Sequence, residues 1–468
     1  MNTPVLRMLE TYRKKNPLPF HMPGHILGRG LVIELKTAGQ WDITEIPGSD
    51  CLHNPDGAIK EAQELAAKCF GADYSIFLVN GSTAGIHIMV NSVAKQGEKL
   101  IIGRDCHRSV LNALALSKVD PVFVLPEIDQ ENRIPLCINA RDLEKALRDN
   151  PDVQGILITR PNYYGIAASV RVIAETARRY NVPLLVDEAH GAHFVFHSAF
   201  PEPAVKAGAE LCVQSLHKTL PALTQTAILH GKDNLIPRKK VEMFSSMLQT
   251  TSPSYLFMAS IDFARDYMER EGRELYQRLW QIIDAFDREL ERIPGIKRVG
   301  TEYKGFETDF SRIVLSFKDT SLTGYQAEEI LRTEYGIVAE MADRYNLVLI
   351  ATPFHTEEDF KKLLYALERI SEKYGSAKDR RKQLPLIDSL PEKVISLHEA
   401  ISSETGEIPI NKAVGEICGA TVVPYPPGIP LLNPGERITA EIVDYITELL
   451  ELGCVIHGIN EGKIPVII

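Results

Sequence analysis

Short apolar runs alternate with amphipathic stretches through the first half of the chain. "YSIFLVN" (74–80), "KLIIG" (99–103), "PVFVLP" (121–126), "GILIT" (155–159) and "PLLVDEA" (183–189) are apolar with little alternation. That is the pattern of strands buried on both faces. Between the runs, Ile59, Ala62, Leu65, Ala66, Cys69 and Phe70 recur at helical spacing. Asn54 is the expected N-cap of that helix, Pro55 suits its first turn and Gly71 the position after its last. "ARDLEKALRDNP" and "SVRVIAETARRYN" repeat the helical pattern. Strands alternating with helices predict an α/β fold with a mainly parallel sheet.

The second half is less regular. "GRELYQRLWQIIDAFDRELERIPG" (272–295) predicts one long helix, closed by proline and glycine, that joins a large domain to a smaller one. "RIVLSFKD" and the amphipathic stretches after it predict a small α+β unit. These patterns divide the chain into an N-terminal arm (1–15), a large domain (16–295), a small α+β domain (296–375), a linker (376–393) and a C-terminal α+β domain (394–468). The proline-rich "YPPGIPLLNPGE" (425–436) is a candidate functional loop.

Composition narrows the class. The 468 residues are 44% hydrophobic and 24% charged, an ordinary globular balance, with a formal net charge of −10. An acidic chain is a poor non-specific nucleic-acid binder and suits a cationic small-molecule substrate. Seven scattered cysteines without a CxxC pair predict free thiols in a reducing compartment, and no apolar run approaches the roughly 20 residues that span a bilayer. A cytoplasmic protein is expected.

The chemistry lies at strand ends. Asp187 ends an apolar strand, where open α/β sheets bind ligands. A carboxylate there can hold a protonated ring nitrogen, as pyridoxal phosphate requires. Lys218, in "SLHK", can serve as a nucleophilic amine. "NGSTAG" (80–85) follows a strand and opens a helix, so Gly81, Ser82 and Thr83 form a candidate phosphate turn. His107, in "RDCHRSV", is a candidate to stack on a flat ring. Each has a plainer alternative: a solvated lysine, a satisfied core acid, a simple helix cap, a solvent-facing histidine.

Several stretches together resemble one family. "DEAHG" with "SLHK", "FHMPGHILG" (20–28), "LHNPDGAI" (52–59), "TTSPSY" (250–255) and "YPPGIPLLNPGE" are similar to the motifs of the Orn/Lys/Arg decarboxylases, in a short form without the N-terminal wing domain. The resemblance implies the aspartate-aminotransferase-like fold and pyridoxal 5'-phosphate as cofactor. It implies that Ser82, Thr83, Ser215 and His217 bind the phosphate, His107 stacks on the ring, Asp187 pairs with its nitrogen, and Ala189 and His190 lie close by. Lys218 would hold the cofactor's aldehyde as an internal aldimine. It further implies a homodimer or dimer of dimers with shared active sites, to which the "TTSPSY" loop contributes, and a place in polyamine biosynthesis. The departures, at Ile26, Cys51, Arg160 and Asn162, spare the cofactor contacts.

The implied reaction decarboxylates a basic amino acid, arginine or lysine, with arginine favoured by analogy. Glu45, Asp50 and Glu436 are the candidate acids for the substrate's distal cation. One alternative is another pyridoxal-phosphate enzyme of the same fold, an aminotransferase or aldolase. Others are an inactive regulatory homologue, or a metal site built from His190, His193 and His197 with Asp187 and Glu188. Because the spacing of those histidines suits a helix rather than a strand end, no metal is expected.

Overall fold

The protein's structure, a computed structural model, describes residues 1–375, 389–425 and 429–468. Contacts gather the chain into two compact units. One comprises Met1–Val93 and Val170–Gln277, the other Ala94–Ser169 and Arg278–Ile468. Most of the expected linker, residues 376–388, and the Pro426–Gly428 stretch of the proline-rich loop lie outside the described residues.

Seven strands carry the α/β pattern: β1 (Tyr74–Leu78), β2 (Lys99–Gly103), β3 (Asp120–Val124), β4 (Val153–Thr159), β5 (Leu184–Asp187), β6 (Leu211–Ser215) and β7 (Ala227–Gly231). In the first unit the order is β1-β7-β6-β5. There β5 and β6 are parallel, while β7 runs antiparallel to both of its neighbours. In the second unit β4-β2-β3 is wholly parallel. The strands are thus mostly parallel, as the apolar runs predict. The antiparallel β7, "AILHG", was not anticipated.

Strand β1 ends its sheet, and an open edge invites pairing with another chain. Glutamine side chains blunt it. Gln63 Oε1 accepts from Phe77 N (2.8 Å) and Gln249 Oε1 from Val79 N (2.9 Å), while Gln225 Nε2 donates to Val79 O (2.7 Å).

Four helices matter below: α1 (Ala58–Phe70), α2 (Gly81–Val93), α3 (Arg108–Ser117) and α4 (Tyr255–Leu290). Helix α1 stops at Gly71, whose φ of +76° is the left-handed turn expected there. Its N-terminus differs from expectation. The cap position is Gly57, which has no capping side chain, and Asn54 is not the cap. The orphan N–H groups are met by Asp50, as described below. Helix α4 begins at Tyr255, well before the expected Gly272. Gly272 is interior to it, because a Cβ there would come within 3.0 Å of Phe196 Cβ. The glycine marks a close packing contact rather than a helix end.

The second unit also holds a four-stranded antiparallel sheet: Lys297–Val299, Arg312–Ser316, Asn346–Ile350 and Met341–Ala342. Helices Gly324–Tyr335 and Glu357–Tyr374 accompany it, each opened by a capping box, Thr323 with Gln326 and Thr356 with Asp359. The C-terminal segment has its own core, including Ile410, Leu432, Ile442, Ile446 and Ile464, and pairs Thr405–Pro409 with Lys463–Ile467. Among the described residues, no helix is long and apolar enough to cross a membrane.

Candidate active site

Strands β5 and β6 are parallel neighbours, so their carboxyl ends emerge on the same edge, and register pairs Asp187 with Val213. Asp187 ends β5 with 4% of its surface exposed. Its Oδ1 accepts from Ala189 N at 3.1 Å, and among the described residues Oδ2 accepts no hydrogen bond. Burial raises the Asp187 pKa, against the charge of Lys218 and the Ala189 N–H, which lower it. A buried acid of this kind is stabilised by a further cationic partner.

Strand β6 ends at Ser215, and the short helix Leu216–Thr219 follows at once. It places Lys218, whose Nζ lies 3.0 Å from Nε2 of the buried His190. A protonated lysine makes Nε2 the acceptor and puts the imidazole proton on Nδ1. His217 turns its Nδ1 to Thr226 O at 3.0 Å. Burial lowers its pKa, the Thr226 carbonyl raises it and Lys218 lowers it again, for a net depression. The ring is neutral near pH 7.

The phosphate turn also forms in this unit. A Cβ on Gly85 would lie 2.5 Å from Val213 Cγ2 and 2.8 Å from Leu78 Cδ1, so α2 presses directly onto β6 and β1. Gly81 supplies φ +74° at the turn. Ser215 Oγ donates to Ser82 Oγ at 2.9 Å, which joins the turn to the lysine segment. Thr83 is exposed in the first turn of α2. Asn80 fixes the approach by accepting from Thr250 N (3.1 Å), and His53 bonds Thr250 O (2.8 Å). The "TTSPSY" loop of this chain is thereby tied beside its own phosphate turn.

Residues that the sequence did not mark as cofactor contacts support this edge. Glu188 is fully buried and accepts from Ala204 N (3.0 Å) and Gln214 Nε2 (2.7 Å). Gln214 Oε1 meets His230 Nε2 (3.2 Å), and His230 Nδ1 meets Ser75 Oγ (2.7 Å). Burial lowers the His230 pKa to about 3, so the ring is neutral and the chain runs from Ser75 to the Glu188 carboxylate. The histidines weighed as metal ligands take separate partners: His190 faces Lys218, His193 sits among Phe194, Phe200 and Tyr276, and His197 bonds Gln277.

In the second unit His107 is the N-cap of α3, with Nδ1 2.9 Å from Ser109 Oγ and accepting from Ser109 N at 3.2 Å. Its ring is half-buried.

The three candidate acids have different surroundings. Asp50 is buried and accepts from the N–H groups of Cys51, Asp56, Gly57, Ile59 and Lys60 at 2.7–3.2 Å. Burial raises its pKa, but the backbone donors together outweigh that and leave it lowered. Glu436 is buried against Arg104 in a two-pronged pair at 2.6 and 2.8 Å. Glu45 is exposed. Both buried acids are engaged within the chain.

Residues 3–306 match the family described as "Orn/Lys/Arg decarboxylase, major domain", and residues 380–460 match its C-terminal domain. The chain belongs to the Orn/Lys/Arg decarboxylase family. The arginine decarboxylase of Bacillus anthracis is 38% identical over 97% of this chain and 94% of its own length, and that of Bacillus subtilis strain 168 is 37% identical over 99% and 97%. The lysine decarboxylase LdcF of Francisella novicida superposes with a TM-score of 0.85, covering 100% of this chain and 81% of its own at 20% identity. E. coli constitutive lysine decarboxylase gives 0.84 at 22% identity, covering 100% and 82%. These two show the shared fold, and Orn/Lys/Arg decarboxylases are pyridoxal-phosphate-dependent enzymes.

Proposed function

We propose that this protein is a pyridoxal-phosphate-dependent decarboxylase of a basic amino acid, with arginine the preferred substrate. The single observation that carries the reading is the grouping of Lys218, its neighbour His190 and the buried Asp187 on the carboxyl edge of β5 and β6. The near-full-length similarity to arginine decarboxylases favours arginine.

The residues fit the cofactor. Asp187 has an Oδ2 that accepts no hydrogen bond among the described residues and a pKa raised by burial, which suits a cationic ring nitrogen. Gly81, Ser82, Thr83, Ser215 and His217 offer hydroxyls, a ring and helix N–H groups to a phosphate. Lys218 would hold the aldehyde covalently, Ala189 and His190 would line the ring, and His107 would stack on it. When bound, pyridoxal phosphate supplies the electron sink for the breaking Cα–carboxylate bond. Asp187 would hold a proton on the ring nitrogen. Lys218 would be the group to return a proton to Cα, with His190 orienting its Nζ. The outcome is an amine and carbon dioxide.

Of the three acids, Glu45 is the exposed one, and we assign it the distal cation of the substrate. Exposed Phe20, Met22, Val32 and Ile33 support a second copy of the chain covering the N-terminal segment in a homodimer. The purified protein should be yellow, should be fixed by borohydride at Lys218, and should release amine and carbon dioxide in equal amounts from arginine without a keto acid. Amine formation that needs a keto acid would favour an aminotransferase instead.

A further inference from the structure

The buried Arg104–Glu436 pair ties the C-terminal segment to the loop that presents His107. Arg104 follows β2 directly, and its backbone N–H donates to Val124 O at 2.8 Å. The turn after it is tight: Cys106 N donates to Gly103 O at 3.1 Å, and a Cβ on Gly103 would come within 2.7 Å of Asp105 Oδ1. Arg104, Asp105 and Cys106 are all buried. His107 then opens α3, so its ring has little freedom apart from this turn.

Arg104 reaches out of the turn. Its guanidinium takes both oxygens of Glu436, donates to Leu431 O at 3.2 Å and lies over the Phe123 ring at 4.8 Å. Glu436 is held in turn. Asn433 donates to it from the backbone (2.7 Å) and side chain (3.1 Å), and Cys418 N donates to its carbonyl (2.8 Å). Leu432, Cys418 and Ile438 beside it belong to the separate C-terminal core. Both side chains are more than nine-tenths buried, so the fork geometry is strongly specified.

We propose that Glu436 is a positioning residue: it clamps Arg104, and through the 104–107 turn the C-terminal core sets the pose of His107. The acid weighed as a substrate contact acts instead on the cofactor's stacking partner. This rests on His107 stacking on the ring, as proposed above.

The test uses the full-length holoenzyme. Glu436→Gln and Arg104→Lys each break the fork, and pyridoxal phosphate affinity and the visible circular dichroism of the bound cofactor are measured beside Tm. The expected result is at least a tenfold loss of cofactor affinity with an altered dichroic band. In a cycle with His107→Ala, the second substitution should add little, because both act on one contact. Unchanged affinity and dichroism, or fully additive losses, would overturn the inference. If neither variant folds, the neutral pair Arg104→Leu with Glu436→Leu is measured, and wild-type cofactor affinity there would equally sink it. A wild type that binds no pyridoxal phosphate would defeat the function itself, a distinct outcome visible before any variant is made.

Discussion

Lys218 Nζ lies 3.0 Å from His190 Nε2, and the two residues come from different strand ends, 28 positions apart. The amine is therefore held in one place before any ligand arrives. Lys218→Ala should abolish turnover and the borohydride-fixed cofactor, yet leave the unfolding free energy within about 1 kcal/mol of wild type, because a partly exposed polar side chain contributes little to stability. Mass spectrometry of the reduced protein checks the attachment. A variant that still decarboxylates at the wild-type rate would refute the assignment.

Asp187 separates stability from function. Its buried carboxylate costs the fold, as its raised pKa indicates. Asp187→Asn should leave the cofactor-free protein at least as stable as wild type. The rate should fall about a thousandfold, since an amide cannot hold a pyridinium proton, a loss of roughly 4 kcal/mol. Thermal melts and kcat on the same preparations test both halves.

Asp50 and Glu45 should respond in opposite ways. Asp50→Asn strips a charged acceptor from five backbone N–H groups and should cost about 2–4 kcal/mol of stability. Denaturant unfolding would show it.

Glu45→Gln should leave Tm unchanged and raise KM for arginine, with kcat nearly constant, because the distal group is the same in ground and transition states. An unpaired distal cation costs on the order of 2 kcal/mol or more, at least a thirtyfold rise. Unaltered KM for arginine, lysine and ornithine would move the cation elsewhere.

The N-terminal helix Pro4–Lys14 brings a pH dependence. Its first turn docks on Asp262, whose Oδ2 accepts from Val5 N at 2.8 Å and whose Oδ1 pairs with Arg265 at 2.8 Å. Burial, against Arg265 and the backbone donors, raises the Asp262 pKa from 3.8 to about 6. The folded protein therefore keeps a proton that the unfolded chain has already released between roughly pH 4 and 6. Stability from this group is full below that window and falls as pH rises through it. Comparing wild type with Asp262→Asn, the wild type should lose on the order of 2–3 kcal/mol more between pH 4 and 7. Parallel curves would show that Asp262 does not titrate there.

The sequence by itself determined the strand–helix alternation, because strands buried on both faces need unbroken apolar runs and helices need a 3.6-residue period. It also located Lys218, Asp187 and the Gly81–Thr83 turn, since each sits where an apolar run gives way to polar residues. What stayed hidden depends on distance along the chain. Strand β7 drew no reading from the sequence, because "AILHG" is short and its pairing with β1 and β6 is antiparallel. Gly272 looked like a helix end because a close contact with Phe196 has no sequence signature. The acids were the hardest. Asp50, Glu45 and Glu436 are alike as carboxylates, and only the tertiary structure gave one a set of backbone donors, one a buried arginine 332 positions away and one open surface. A charge's role is fixed by what surrounds it, and burial brings together groups that the chain order keeps apart.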